Sequence, residues 1–442
     1  MKKSTYEYHL DFIICAWRDI PYCSTPVDDI QRLHLYAPAC YFSGESINGY
    51  TLKSAPIFLP NWVGGYMPGI PSEPRVDENG EPNEVLSALM HGYVVACAGI
   101  RGRSTANGCG KAPALIVDMK AAIRYLRHNQ DVIPGDTEKM ITSGTSAGGA
   151  LSALTGTSGN VSAYEPWLRQ IGAAQERDDI FAANCYCPII NLEHADAAYE
   201  WQFSREQYFQ SWHGEGMLTD RQMVLAQLLK EQFPAYLNSL SLRDEHGKTL
   251  TLNADGSGTF LEYVKHAVVQ SAQAELDGPS FSHYAVPGSQ VAAQPFLTVR
   301  DGIVTDLDWD GYVHAITRMK QPPAFDALTL SSPENDVFAG ADGAPRHFTA
   351  FAQEQTGCPM ADAQVIKLLN PMEQLTAPGC ARHWRIRHGV YDRDTSLAIP
   401  VMFALALKIR GYQVDFLLPW GVPHSGNYDL PELFAWIDML CK

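Results

Sequence analysis

Neither a bilayer-spanning apolar run nor an excess of positive charge occurs in this sequence of 442 residues. The longest apolar run beyond the N-terminus, Val401 to Leu407, falls far short of the ~20 residues a membrane helix needs. Lysine and arginine number 33 against 49 aspartates and glutamates, a formal charge of −16. Phosphate would be repelled, so neither nucleic acid nor an anionic membrane is expected as a partner. The start of the chain meets Glu7, His9 and Asp11 before any hydrophobic run, which does not make a signal peptide. Close cysteine pairs are also missing: of ten cysteines only Cys185 and Cys187 stand near each other, as suits reduced thiols in a core rather than a disulfide framework. Repeats and low-complexity tracts are absent. A cytoplasmic enzyme is the expectation.

What is present is globular, with 46% hydrophobic and 19% charged residues. The length exceeds a usual single core, which calls for two domains or one large domain with an insertion. Up to about residue 190, strand-like and helix-like segments alternate. "QRLHLYA", "APIFLPNW", "GYVVACAGI", "KMITSG" and "DIFAANCYCPI" read as strands, several with the continuous apolar runs of buried parallel sheets. Between them, "APALIVDMKAAIRYLRHN" puts Ile116, Met119, Ile123 and Leu126 on one helical face. From 191 to 370 the pattern loosens, with a hairpin expected at "KTLTLNADGSGTFLEY" and a helix at "DRQMVLAQLLKEQF". Alternation then resumes: "HWRIRHG" a strand, "SLAIPVMFALALKIR" a buried helix, "QVDFLLPW" a buried strand, "DLPELFAWIDML" a closing helix. The reading is α/β, a mostly parallel doubly wound sheet formed by residues 1–190 and 371–442, with 191–370 inserted as a cap or lid.

Within the first part, "KMITSGTSAGGALSAL" carries Gly144-Thr145-Ser146-Ala147-Gly148. Five letters of this kind are weak alone. A strand leading in and small residues leading out give them the context of a nucleophile elbow, a sharp turn that lifts a serine hydroxyl clear of the sheet. A turn serine with no chemistry is the bland alternative.

A nucleophilic serine needs a base, and the base an orienting acid, each in a loop after a later strand. His424, in "FLLPWGVPHSGNYD", follows the last strand and precedes the last helix, where the base belongs; His388 in "RIRHGVYDRD" is the rival and would support the neighbouring loop. For the acid, Asp392 and Asp394 stand equally well placed, and spacing does not separate them. Of the two oxyanion donors, one is the Ala147 amide, directly after the nucleophile; the other falls in "NWVGGYMPG", at Gly65 or Gly64. "DLDWDG", Asp306 to Gly311, begins like a calcium loop but has Thr317 where glutamate is needed, and "NADGSG" likewise has Val264. Polar turns are the simpler reading of both.

Several of these stretches together resemble the bacterial tannin acylhydrolases, the subtype B tannases of the α/β-hydrolase superfamily. The resemblance rests on "GKAPALIVDMKAAIRYLRHN", "SGTSAGGALSALTGTSGN", "CYCPI" with "HADAAYEW", "RMKQPPAFD", "RHGVYDRDTS" and "PHSG". It implies hydrolysis of galloyl and related phenolic esters by a serine nucleophile, with no metal and no cofactor. It implies the triad Ser146, Asp392 and His424 and the oxyanion glycine Gly65. It implies galloyl-hydroxyl contacts at Lys320, Glu334 and Asp394, and an apolar pair, Ile189 and Pro333, flanking the ring. Without it, Lys320 and Glu334 would read as surface charges. Asn427 departs from expectation, since an acidic residue is expected there. Thr145 and Pro423 stand where the fungal tannases and feruloyl esterases carry cysteines, which disfavours that branch. The remaining rivals are a hydroxycinnamoyl (feruloyl, chlorogenate) or broad carboxylesterase with the same machinery, and a binding protein of this fold without catalysis.

Overall fold

The computed structural model describes residues 3–8, 12–211, 214–278, 281 and 283–442. Nine strands form the main sheet: β1 (Lys3–Tyr8), β2 (Phe12–Pro21), β3 (Arg32–Pro38), β4 (Pro56–Pro60), β5 (Val94–Ala98), β6 (Asp136–Thr145), β7 (Ala182–Tyr186), β12 (His383–Arg387) and β13 (Gln413–Leu417). The intervening labels belong to two small hairpins, β8 (Tyr208–Ser211) with β9 (Gly214–Met217) and β10 (Leu297–Arg300) with β11 (Ile303–Leu307). The order across the main sheet is β1-β2-β3-β5-β4-β6-β7-β12-β13. The first three strands join antiparallel; from β5 to β13 every neighbour is parallel. This is the mostly parallel sheet the alternating pattern predicts.

The central strands are buried along their whole length: every residue of "PIFLP" in β4, "VVACA" in β5 and "AANCY" in β7 is buried. Helices cover them, among them Ala114–His128, Ala147–Thr157 and Ala398–Ile409, the last nearly all apolar. β7 and β12 are neighbours in register, Ala182 opposite His383, although about 200 residues separate them in the chain. Among the described residues, nothing between them adds a strand to the main sheet. That stretch holds the two hairpins and long helices, Asp220–Ser239 and Thr259–Asp277.

Two strands have no counterpart in the sequence reading, and two expectations need correction. β1 and β2 escape the sequence pattern because β2 is irregular: its register with β3 shifts between Trp17 and Ile20, and Asp19 sits at φ 55. A bulge breaks the period of two on which strand recognition rests. The hairpin expected at "KTLTLNADGSGTFLEY" is a turn followed by a helix. Asn253 N donates to Ser257 O (2.7 Å), and the helix begins at Thr259. The β-branched and aromatic residues there suggest a strand, but Phe260, Val264, Val268 and Ala272 recur every fourth position and all are buried. β13, expected to be buried, is the edge strand and is half-exposed.

Candidate active site

Parallel strands present their C-terminal ends on one edge of a sheet, and there the candidate residues collect. Ser146 follows β6, Ile189 follows β7, Asp392 and Asp394 follow β12, His424 follows β13, and Gly65 lies in the loop after β4.

Ser146 adopts φ 62, ψ −122, between β6 and the helix Ala147–Thr157. Such backbone costs about 1–3 kcal/mol for a residue with a side chain and persists only where its surroundings enforce it. Here the Ser146 N–H donates to Tyr186 O (3.0 Å), and Ser146 O accepts from Ala150 N (2.9 Å) and Ile189 N (3.3 Å). The turn is tight enough to require glycine at two places. A Cβ on Gly144 would lie 2.3 Å from Gly148 O, and one on Gly148 would lie 2.7 Å from Asn61 Oδ1. Beneath the turn the Asn61 amide donates to Ser143 O (2.9 Å), Gly148 O (3.1 Å) and Ser152 Oγ (3.1 Å).

Ala147 opens the helix, where N–H groups have no carbonyl of the helix to bond. Gly65 sits at φ 58, ψ 25 in a short turn, and its carbonyl accepts from Arg103 Nε (2.9 Å). Arg103 also reaches Asp336 (3.1 Å), so one guanidinium fixes the Gly65 peptide and ties it to the helix Pro333–Val337. Nothing in the sequence pattern pointed to Arg103.

The His424 Nδ1 lies 2.8 Å from Asp392 Oδ2, and Asp392 is fully buried. Asp392 Oδ1 accepts from the Asp394 N–H (2.8 Å). Burial pushes the Asp392 carboxyl up, but the His424 and His388 imidazoles outweigh it and hold it at about 2. Burial likewise disfavours the His424 imidazolium, yet the carboxylate of Asp392 raises its titration well above the ordinary value. His388 is buried behind this pair, its Nδ1 3.6 Å from Asp392 Oδ2 and both ring nitrogens without a hydrogen bond. Burial lowers its pKa, against the pull of the Asp392 carboxylate. Asp394, the other candidate acid, instead pairs with Lys320 Nζ (2.5 Å), its Oδ2 3.8 Å from His424 Nε2.

The His424 loop packs directly on the elbow: a Cβ on Gly426 would lie 1.9 Å from Thr145 Oγ1. Among the described residues no hydrogen bond joins Ser146 Oγ to the imidazole. Nε2 instead faces the Cys187 thiol at 4.0 Å. Catalytic hydrogen bonds are commonly long before substrate arrives. The same loop is anchored farther on, where Asp429 takes an ion pair from the buried Arg385 and a hydrogen bond from Tyr186 Oη (2.5 Å).

A cavity of about 1220 Å³ opens at this edge. Its wall contains Gly65, Ser146 and Ala147 together with Ile189, Lys320, Pro333, Glu334 and Asp394. Eight of the ten candidate residues therefore face one space, and Asp392 and His424 adjoin it through Asp394. The Lys320 ammonium also stands 3.8 Å from the Phe325 ring centroid. Burial lowers its pKa, but Asp394 and Glu334 more than compensate and keep it charged. The Glu334 carboxyl is pushed up by burial, with Lys320 pulling against that shift. A positive group flanked by two acids, with apolar walls at hand, can satisfy several hydroxyls on one flat ring.

Asn427 also finds its explanation. Its Nδ2 donates to Glu84 Oε2 (3.1 Å), whose other oxygen accepts from Ser143 Oγ (3.1 Å). An aspartate at 427 would set a second carboxylate against a buried one. Burial raises the Glu84 carboxyl from 4.5 to about 7. The fold therefore favours its protonated form, and stability present below pH ~4.5 is lost as pH rises through ~7, by ~3 kcal/mol. Glu84→Gln is expected to remove that slope: denaturant melts at pH 5 and pH 8 should converge for the variant and diverge for wild type. Parallel losses in both proteins would contradict it.

The acidic decoy dissolves into ordinary contacts. Asp310 pairs with Arg205, Asp308 stands at the N-terminus of the helix Trp309–Ile316 with its carbonyl accepting from Tyr312 N (2.9 Å), and Asp306 bonds the Leu307 N–H (2.8 Å).

A family model described as BD-FAE matches residues 71–228. Among solved structures, the tannin acyl hydrolase from Lactobacillus plantarum is 46% identical, with a TM-score of 0.93, covering 100% of this chain and 97% of that one. A tannin acyl hydrolase in complex with ethyl gallate is 47% identical at the same TM-score and the same coverage. The Fusobacterium nucleatum tannase is 41% identical, with a TM-score of 0.94, covering 100% of this chain and 98% of its own. Curated protein sequences yield no match. No helix among the described residues is long and apolar enough to cross a membrane.

Proposed function

The chain belongs to the tannin acyl hydrolases, and on that premise we propose that it hydrolyses galloyl esters by acyl transfer through Ser146, His424 and Asp392. Ser146 Oγ attacks the ester carbonyl while His424 Nε2 takes its proton, Asp392 holding the Nδ1–H and stabilising the imidazolium. The N–H groups of Gly65 and Ala147 receive the charge that develops on the carbonyl oxygen. The tetrahedral intermediate collapses as His424 returns the proton to the departing alcohol. Water, deprotonated by the same ring, then releases gallate.

The observation that carries the reading is a single cavity wall combining Ser146, Gly65 and Ala147 with Lys320, Glu334 and Asp394. In the bound ester, Lys320, Glu334 and Asp394 take the ring hydroxyls, and Ile189 and Pro333 flank the ring. One relative carries ethyl gallate and another 3,4-dihydroxybenzoate, ligands of the chemistry this arrangement fits. Residues 191–370 act as a cap that supplies Lys320 and Glu334 to a core formed by 1–190 and 371–442. Ten free thiols support action in a reducing compartment, the cytoplasm.

A site that pairs its buried polar groups with ring hydroxyls penalises a ligand lacking them. The expected kcat/KM on methyl gallate exceeds that on methyl ferulate by at least ~10²-fold. Equal values would make the protein a hydroxycinnamoyl or broad-specificity esterase.

A further inference from the structure

Cys187 takes no part in the reaction just described, yet its thiol is one of the nearest groups to the reacting nitrogen. Ligand atoms of Cys187, Asp392 and His424 all lie within 4.8 Å of one another, the only such group among the described residues. Asp392 bonds Nδ1, which leaves Nε2 as the free donor of the ring. A carboxylate on the far nitrogen is the usual outer support of a metal-bound histidine. Around Nε2 stand the Cys187 Sγ at 4.0 Å and the Asp394 Oδ2 at 3.8 Å. In a tetrahedral site with bonds of ~2.0–2.3 Å, neighbouring donors are ~3.4–3.6 Å apart, so both distances from Nε2 exceed that by a few tenths of an ångström, and Asp394 must turn toward Cys187 to join the site.

We propose that His424 Nε2, Cys187 Sγ and Asp394 Oδ2 form a chelating site for a thiophilic divalent cation of the zinc or cadmium class, and that its occupation reversibly inhibits the esterase. The donor set of nitrogen, sulfur and carboxylate oxygen selects such ions over magnesium or calcium, which prefer oxygen alone. The thiol now donates to Ser425 O (3.3 Å). On binding, its proton leaves to solvent and the thiolate takes the cation. Asp394 lines the cavity, which gives the ion its route. Once bound, it occupies the lone pair that must accept the Ser146 proton. The site is inhibitory and is not a cofactor site.

Two measurements test this. Zinc chloride titrated into methyl gallate hydrolysis should abolish activity, a chelator should restore it, and magnesium at the same concentration should do nothing. In Cys187→Ser, the half-inhibitory zinc concentration, taken against the variant's own metal-free rate, should rise at least tenfold. Separately, cobalt(II) added to the wild-type protein without substrate should produce a thiolate-to-cobalt charge-transfer band. That signal needs no turnover and no folded variant, so it stands or falls apart from the galloyl assignment. Unchanged zinc inhibition in Cys187→Ser, equal inhibition by magnesium, no zinc inhibition, or a cobalt spectrum without the thiolate band would overturn the proposal.

Discussion

Ser146→Ala is expected to lower kcat on methyl gallate by about 10⁴- to 10⁶-fold while KM changes by no more than a few-fold. The hydroxyl supplies the bond-forming atom, so its loss removes the acyl-enzyme route altogether. What remains is the background that the Gly65 and Ala147 amides and the cavity contribute by binding alone. The fold has little reason to change, because alanine fits the backbone as serine does at the same strained angles, and the hydrogen bonds that hold the turn run through main-chain atoms of residue 146. Steady-state rates with a matched thermal melt check this. A variant that kept a tenth of the wild-type rate with an unchanged melt would refute a nucleophilic role for Ser146.

Lys320→Ala separates the galloyl reading from a general esterase. The ammonium pairs with Asp394 and holds Glu334 in the same electrostatic cluster. The Lys320 and Asp394 side chains are 21% and 20% exposed in the free site and become covered when an ester fills the cavity. Removing one partner of a hydrogen-bonded charge pair so covered costs about 2–5 kcal/mol, or roughly 30- to 4,000-fold at 1.4 kcal/mol per decade. The expected loss in kcat/KM is therefore ~10²- to 10³-fold on methyl gallate. On phenyl acetate, which has no ring hydroxyl for Lys320 to meet, it should stay below ~10-fold. Rates on both substrates from one preparation supply the test, since misfolding would depress them together. Equal losses would remove Lys320 from hydroxyl recognition.

Much of this was legible in the sequence for identifiable reasons. The parallel strands reveal themselves because both faces are covered, so "VVACA" and "PIFLP" carry no polar interruption. The elbow is legible because its glycines answer to close contacts that any side chain would violate. His424 is marked by its place between the last strand and the last helix. The choice of Asp392 over Asp394 is not local information: two residues apart, one turns to His424 and the other to Lys320, more than 70 positions earlier in the chain. β2 is hidden by its bulge, and the helix from Thr259 by residues of high strand propensity. Arg103 and Glu84 have no motif at all, and Cys187, though it stands in "CYCPI", carries no local sign of its neighbour. Each matters because of what lies across the fold, Gly65 O for the first, Asn427 for the second and the imidazole for the third.

The central claim, that a galloyl group passes through the hydroxyl at position 146, has a direct chemical readout. Wild-type protein mixed with excess methyl gallate, quenched in acid within the first turnovers and digested, should yield one peptide carrying a galloyl ester, with fragmentation assigning it to Ser146. Hydrolysis at full rate with no adduct on that peptide, or with the adduct on another residue, would contradict the account.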